Sequence, residues 1–406
     1  MKILLVHKFF HVVGGAETFV FETAKILKKQ GHQVAFFSMK DEKNLPDENS
    51  EYFVSNIDFH RNGILKAASN FFRIIYSFEA RSKMERLLRD FKPDVVHCFA
   101  IFSHISPSIL DVCRNLNIPV VMSCNDFKHI CSNSRLFYGG KICESCKNGI
   151  GIQPIRKNCC NDSFKFSLAS TIEAHIHKRL NILRKNIDLF LFSSDFIARK
   201  TEEFWGANSF KWKKLVNPYN SPDFPYSEEY DDYCLFFGRL VEEKGIRILL
   251  KAMGLVPNVR LKVIGDGPDR KSFELEAKEH NLVNVEFVGP QWNDDLYNIL
   301  ARTRFVIVPS IWNEVFGYVN IQAFSFGKAV IGSSLGGIPE LINNGQYGLV
   351  YPAQDHETLA KFINILWNDP KKAMEMGKRA KLNADKEYNY EKYYETLMDI
   401  YRSVKK

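Results

Sequence analysis

Residues 308–340 constrain the fold more than any other part of the chain. They read Val308-Pro-Ser-Ile-Trp-Asn-Glu314-Val-Phe316-Gly317-Tyr318, then a helical run to Gly327, then Ala329 to Ser333, then Gly336-Gly337-Ile-Pro339-Glu340. Arg304 to Val308 is a short, largely apolar run and reads as a buried strand that ends at Pro-Ser. Gly317 opens a helix and Gly327 stops it; Ala329 to Ser333 is a second strand, and Pro339 marks a second helix start. A strand, a helix and a strand in that order form a βαβ unit of a parallel sheet. Both helix starts then leave from the same edge of one sheet. Each presents unpaired N–H groups and the positive end of a dipole, which suits an anion such as a nucleotide diphosphate. Glu314 stands just before the first of these helices, and Gln322 lies about five residues into it, roughly 7–8 Å along its axis.

The same alternation runs through almost the whole chain. In the first half the expected strands are Lys2 to Val6, His32 to Ser38, Pro93 to His97, Ile118 to Ser123 and Asp188 to Ser193. Helical pattern covers Ala16 to Gln30, a long stretch from Asn62 to Phe91, and Ser163 to Lys185, while Asp41 to Asn56 is polar and reads as a loop. A second series of strands is expected near 233–237, 259–264, 284–288, 304–308, 329–333 and 347–350. Helical pattern then runs from Glu357 to Val404, interrupted at Pro370 and near Tyr388-Asn389. Between the two series, residues 216–226 carry three prolines and read as a hinge. The chain is therefore α/β, with two Rossmann-like doubly wound domains in tandem: 1–215, including a cysteine-bearing stretch at 127–162, and 227–387. Residues 388–406 form a terminal helix expected to pack back on the first domain. Ligands of doubly wound sheets sit outside the carboxyl ends of the strands, so two such sheets facing each other place a site in the cleft between them.

Composition narrows the setting. The apolar and charged fractions, 45% and 25%, are those of an ordinary globular protein. No run of about 18 apolar residues occurs, so no membrane span is expected. Met1 to Val6 is too short for a signal peptide and reads as a first strand, which places the protein in the cytoplasm. Residues 1–215 hold 32 basic against 21 acidic residues, and residues 216–406 hold 23 against 26. A basic first half suits an anionic partner, and equally an ordinary solvated face. The basic, apolar patterns at Ile64 to Arg89 and Ile172 to Lys185 fit either a peripheral contact with an anionic membrane at its inner face or helices packed on a core. No recognisable nucleic-acid module is present, so a nucleic-acid partner is not expected.

Several clusters carry chemistry. Gly238-Arg239 follows the first strand of the second domain, and Lys244-Gly245 leads into its next helix; two cations there can hold a diphosphate. Gly14-Gly15 lies between the first strand and first helix, where glycine allows close approach to a bulky anion, and Glu17 also suits a helix N-terminus. Asn125-Asp126 follows the strand at 118–123, and His97 ends another strand, where a core histidine is the expected role. Cys131, Cys143, Cys146 and Cys159-Cys160 include a C-x2-C pair, the kernel of many structural zinc sites. Bound zinc, free thiols and a disulfide are the three states open to them, with His129 a possible substitute ligand.

Taken together, these motifs resemble the retaining GT-B-fold glycosyltransferases of the family-four, group 1 type, over nearly the whole chain from Gly14 to Glu340. The resemblance implies transfer of a sugar from a UDP- or GDP-sugar donor to a hydroxyl of a glycan or lipid-linked acceptor, in polysaccharide or glycoconjugate synthesis. It implies catalytic roles for Glu314, Lys244 and Arg239, with the two cations on the diphosphate and Glu314 on the donor sugar. Gly14, Gly15, Asn125, Asp126, Gly238, Phe316, Gly317, Tyr318 and Gln322 are the implied donor contacts. No cofactor is required for the chemistry, because the Arg/Lys pair takes the place of a divalent metal; a structural zinc on Cys131, Cys143, Cys146 and Cys159 is a separate matter. Two positions depart from the family pattern. Gln322 stands where a second glutamate binds the ribose, and Asn125 where a histidine sits beside the donor sugar. Gln keeps one acceptor but loses the charge, and Asn cannot take a proton near neutral pH. These departures favour, as the alternative, a non-catalytic GT-B protein that binds sugar nucleotides as the partner of an active enzyme.

Overall fold

The computed structural model describes residues 1–57 and 64–405. The chain divides into two compact units: residues 1–135, 144–218 and 393–406 form the first, and 136–143 with 219–392 the second.

The first unit begins with β1 (Lys2–Val6), α1 (Gly15–Lys29) and β2 (Gln33–Phe37). Helices α2 (Ile64–Ile75) and α3 (Phe78–Phe91) precede β3 (Val95–Cys98), α4 (Ser108–Asn115) and β4 (Val120–Cys124). A two-stranded hairpin, β5 (Phe137–Tyr138) and β6 (Lys141–Ile142), belongs to the second unit. Helices α5 (Gln153–Arg156), α6 (Phe164–Arg179) and α7 (Ile182–Asn186) then lead to β7 (Leu189–Phe192), α8 (Asp195–Trp205) and β8 (Trp212–Lys214). The strands form one parallel sheet in the order β2-β1-β3-β4-β7-β8. Its central strands are buried on both faces, which is why they read as unbroken apolar runs rather than alternating ones.

The long helix expected from Asn62 to Phe91 is two helices. Ser77 takes an extended conformation, and its Oγ accepts from Ala80 N–H at 3.1 Å, so it caps α3 and breaks the run. The Ser77 N–H is itself held by Ser106 Oγ at 2.9 Å, a partner the local periodicity does not show. Asn62 and Gly63, at the start of the expected helix, lie outside the described residues. Asn181, at φ +50, similarly separates α6 from α7 in the run read as one helical stretch from Ser163 to Lys185.

The second unit is built from β9 (Cys234–Phe237), α9 (Ile246–Gly254), β10 (Leu261–Ile264), α10 (Arg270–Glu279), β11 (Val285–Gly289) and α11 (Asn293–Arg302). It continues with β12 (Phe305–Val308), α12 (Tyr318–Ser325), β13 (Ala329–Ser333), α13 (Ile338–Ile342), β14 (Gly348–Tyr351), α14 (His356–Asn368) and α15 (Pro370–Glu387). Its six strands are also parallel, in the order β11-β10-β9-β12-β13-β14. Leu249, Leu250, Phe273, Phe305, Ile307, Leu359 and Ile363 are fully buried against one face. Each side chain of this size contributes about 1.5–3 kcal/mol on burial. Both sheets place a central β1-β3 or β9-β12 pair beside a change of strand order, the point at which doubly wound sheets bind ligands.

The last helix, α16 (Tyr390–Val404), joins the first unit from Tyr393 onward. There Tyr393 OH bonds Thr23 Oγ1 at 2.7 Å, Tyr394 OH bonds His32 Nε2 at 2.9 Å, and Tyr401 OH bonds His97 Nδ1 at 2.8 Å. His97 is fully buried, with Ser123 Oγ at 2.8 Å on its other nitrogen, and burial lowers its pKa to about 3. It is a neutral core residue, as its strand position suggested. Among the described residues, no helix is long and apolar enough to cross a membrane.

Candidate active site

In the second unit, two glycines let three loops close on one another. The turn Glu242–Lys244 ends at Gly245, whose φ is +75. A Cβ on Gly245 would stand 1.9 Å from the Pro309 carbonyl oxygen, so only glycine lets this turn lie on the carboxyl end of β12. Ile311 N–H donates to Glu243 O at 3.0 Å and fixes the contact. Gly336, at φ +64, repeats the device: a Cβ there would meet the Glu314 carbonyl oxygen at 2.2 Å. Gly337 N–H donates to that same carbonyl at 2.7 Å, and Ser333 Oγ donates to Ser310 O at 2.7 Å.

The outcome is a defined pair of charges. Lys244 Nζ stands 2.6 Å from Glu314 Oε1, and Ser310 Oγ donates to the same oxygen at 2.8 Å. Burial alone would raise the Glu314 carboxyl, but Lys244, with smaller contributions from Trp312 and Ser310, more than offsets it, and its pKa lies below the usual carboxylate value. Arg239 lies exposed just past the end of β9, and among the described residues it has no ion-pair partner. The neighbouring Gly238 gives its N–H to Ile264 O, the last carbonyl of β10, at 3.0 Å, so that amide is taken up by the sheet. Phe316 is buried and packs edge-on against Tyr318, ring centroids 5.4 Å apart, at the start of α12. Gly317, at φ +87, is the N-cap of α12, and Gln322 sits half-buried one turn further along.

The remaining expected contacts lie in the first unit. A cavity of about 650 Å³ opens there at the carboxyl ends of the strands. Its wall includes His7 and Lys8 after β1, Ala16 at the start of α1, and Asn125 and Asp126 after β4. Asp126 is reached by solvent, yet the surrounding protein raises its pKa despite a hydrogen bond from Lys128 N–H at 2.8 Å. Gly14 and Gly15 are exposed, and the Gly14 N–H is already taken by Glu17 Oε2 at 2.8 Å. Glu17 is thus the helix-start carboxylate of α1; its other oxygen lies 3.6 Å from His7 Nε2.

Sequence reasoning passed over His7, Lys8, His104 and Glu173, all on the cavity wall. His7-Lys8 directly follows a strand and could have been flagged by position. His104 and Glu173 carry no such signal. Burial, with Lys8 nearby, lowers the His104 pKa to about 4, so it is neutral at physiological pH.

Of the cysteines expected to hold zinc, Cys159 interacts with Cys131 and Cys146, and also with its neighbour Cys160. Cys131 Sγ donates to Asn133 Oδ1 at 3.0 Å, and none of the nine cysteines is in a disulfide. Among the described residues, no three His, Cys, Asp or Glu side chains stand where they could hold a metal ion.

Comparison with known proteins gives a consistent result. The family model for glycosyl transferases group 1 matches residues 223–383, and that for glycosyltransferase family 4 matches 13–211. A Klebsiella pneumoniae protein, named only as an uncharacterized 42.6 kDa protein in the cps region, is 26% identical over 84% of this chain and 87% of its own length. Other curated relatives match over about half of their own length. Among solved structures, the sucrose-phosphate synthase of Thermosynechococcus elongatus superposes with a TM-score of 0.71 at 19% identity, covering 99% of this chain and 98% of that one. Anabaena HepE in complex with UDP-glucose superposes with a TM-score of 0.67 at 18% identity, covering 99% of this chain and all of the other. The strand order, the two matched halves and the shared architecture lead to one conclusion: the chain belongs to the GT-B glycosyltransferases of group 1.

Proposed function

We propose that this transferase moves a hexose from a nucleotide diphosphate sugar to a hydroxyl of a glycan or lipid-linked acceptor, with retention of anomeric configuration. The observation that carries the reading is the Lys244–Glu314 pair, 2.6 Å apart, with Arg239 in the same unit and without an ion-pair partner among the described residues. In this reading Arg239 and Lys244 hold the diphosphate and stabilise the charge it gains as the sugar leaves. The N–H groups at Gly317 and Tyr318 face the β-phosphate or sugar, Glu314 orients the sugar, and Gln322 accepts from a ribose hydroxyl. The leaving phosphate itself can take the acceptor's proton, so neutral Asn125 is compatible with turnover. Because Lys244 already neutralises Glu314, Arg239 is left as the net positive charge of the donor-binding set, which suits a diphosphate and favours a working site over a degenerate one. The UDP-glucose complex of HepE supports a UDP-sugar donor, and the relative from a cps region supports a role in cell-surface polysaccharide synthesis. We place the activity in the cytoplasm, at the inner membrane face.

Calorimetric titration with UDP, GDP, ADP and their sugars, on the wild type and on Gln322→Glu, tests this. We expect one base to bind with micromolar affinity, and Gln322→Glu to tighten it about threefold or more by restoring a charged acceptor to the ribose. Failure of every nucleotide to bind either form would overturn the reading.

A further inference from the structure

Helix α6 is built the wrong way round for a surface helix. It buries Ser167, Thr171, Glu173 and His177, while Phe164 and Leu168 are 58% and 37% exposed. An ordinary amphipathic helix does the reverse, because burying polar groups is unfavourable unless each finds a partner. Most of these do. Thr171 Oγ1 donates to Ser167 O at 2.6 Å, Ser167 Oγ accepts from Cys160 N–H at 3.1 Å, and His177 Nε2 bonds Ile75 O at 2.9 Å. Glu173 does not complete its set. Its Oε2 takes Lys128 Nζ at 2.9 Å, but Oε1 is buried without a hydrogen-bond partner among the described residues, in a residue only 2% exposed. Ser132 Oγ, in a residue 6% exposed, is also without a partner among the described residues.

Both groups line the 650 Å³ cavity, and α6 presents Phe166, Ala169, Ser170 and Glu173 to it at i, i+3, i+4 and i+7, a single helical face. A buried carboxylate oxygen left without a donor costs about 1–3 kcal/mol, which a structure tolerates where a ligand supplies the donor. The volume lies within the range of small-molecule sites. The charges on the wall identify the kind of ligand. Lys8, Lys128 and Arg135 are balanced in part by Asp126 and Glu173, and Lys128 is already neutralised by Glu173. A phosphate placed beside Glu173 would meet a carboxylate. A neutral molecule rich in hydroxyl groups meets acceptors in Glu173 and Ser132, and flat apolar faces in Phe102 and Phe166.

We propose that this cavity is a carbohydrate subsite in which Glu173 and Ser132 receive the hydroxyl groups of a neutral sugar. That the sugar is the acceptor rests on the transferase reading above; that the cavity binds a neutral sugar does not. The test is saturation-transfer NMR and calorimetry with methyl glycosides of glucose, galactose, mannose, rhamnose and N-acetylglucosamine, alongside glucuronic acid and inorganic phosphate. Wild type, Ser132→Ala and Glu173→Gln are compared, with UDP and GDP titrated on the same samples. We expect at least one neutral glycoside to bind the wild type. Ser132→Ala should weaken it about threefold or more and Glu173→Gln about tenfold or more, the scale of neutral and charged hydrogen bonds, with nucleotide affinity unchanged. Binding of the anionic probes alone, binding of no glycoside, or equal affinity in all three proteins would overturn the proposal. Should Glu173→Gln fail to fold, because Lys128 loses its counter-charge, Ser132→Ala decides alone. Glycoside binding without nucleotide binding would uphold the subsite and overturn the donor reading instead.

Discussion

Removing Lys244 offers the most direct examination of the donor-side geometry, because its partner is buried. Glu314 is 8% exposed, and its Oε1 is shared by Lys244 Nζ at 2.6 Å and Ser310 Oγ at 2.8 Å. Breaking a buried pair by deleting one partner costs about 3–5 kcal/mol. Here the Lys244 side chain is 26% exposed, so water reaches the pair, and Ser310 stays in place. Those two facts reduce the expected cost of Lys244→Ala to about 2–3 kcal/mol. Glu314→Gln keeps the shape and the Ser310 bond and leaves a partly hydrated ammonium, so about 1 kcal/mol is expected. The double variant removes both charges and should lose about 1 kcal/mol less than the sum of the single losses, or a larger shortfall still. Urea unfolding of the four proteins, fitted with a common slope, reads this coupling. Additive losses, within about 0.5 kcal/mol, would show that the pair is not coupled as described.

The pH dependence adds a second reading with a defined sign. In the wild type the Glu314 pKa lies below its ordinary 4.5, so the stabilisation it brings is present above that value and is lost as pH falls through the folded-state pKa. In Lys244→Ala burial acts without the cation and raises the carboxyl above 4.5, so its contribution grows on acidification. The deficit of the variant should therefore shrink between pH 7 and pH 4. The affinity of the same folded variant for a nucleotide diphosphate should fall about tenfold or more, the loss of one charge-assisted contact. An unchanged affinity would remove Lys244 from the donor site even if the stability coupling is found.

Two further outcomes follow from buried groups away from that pair. Lys328 is 4% exposed, and burial, with Arg302 nearby, lowers its pKa from 10.5 to about 8. Between those values the unfolded chain holds a proton that the folded chain has lost, so stability rises with pH there; Lys328→Met should stabilise the protein at pH 7 by on the order of 1–3 kcal/mol and flatten that rise, both read by unfolding at pH 7, 8 and 10. Tyr401→Phe leaves His97 Nδ1 in the core without its 2.8 Å partner and should cost about 1–3 kcal/mol, whereas an unchanged unfolding midpoint would mean that the hydrogen bond holds nothing in place.

Much of the architecture is determined by the sequence alone, and the second unit shows why. A parallel strand covered on both faces must be a short continuous apolar run, and Phe305–Val308 and Ala329–Ser333 are such runs, bounded by Pro-Ser, Gly327 and Gly336. The glycines at 245, 317 and 336 were equally legible as turn residues, since a positive φ is a local demand. What lies beyond the local window was decided by tertiary structure. Ser77 breaks a helix whose periodicity continues past it, because a serine 29 residues away holds its N–H. Lys244 and Glu314 read as two separate donor contacts, yet they meet at 2.6 Å across 70 residues, because Gly245 can lie on the Pro309 carbonyl. The cysteines have a C-x2-C spacing, but spacing along the chain does not by itself set a coordination geometry, and among the described residues no group of three possible ligands is placed to hold a metal ion. Glu173 is a single acidic residue in a basic, amphipathic-looking helix. Only the packing of α6 turned its polar face inward, toward a cavity made by residues more than a hundred positions apart.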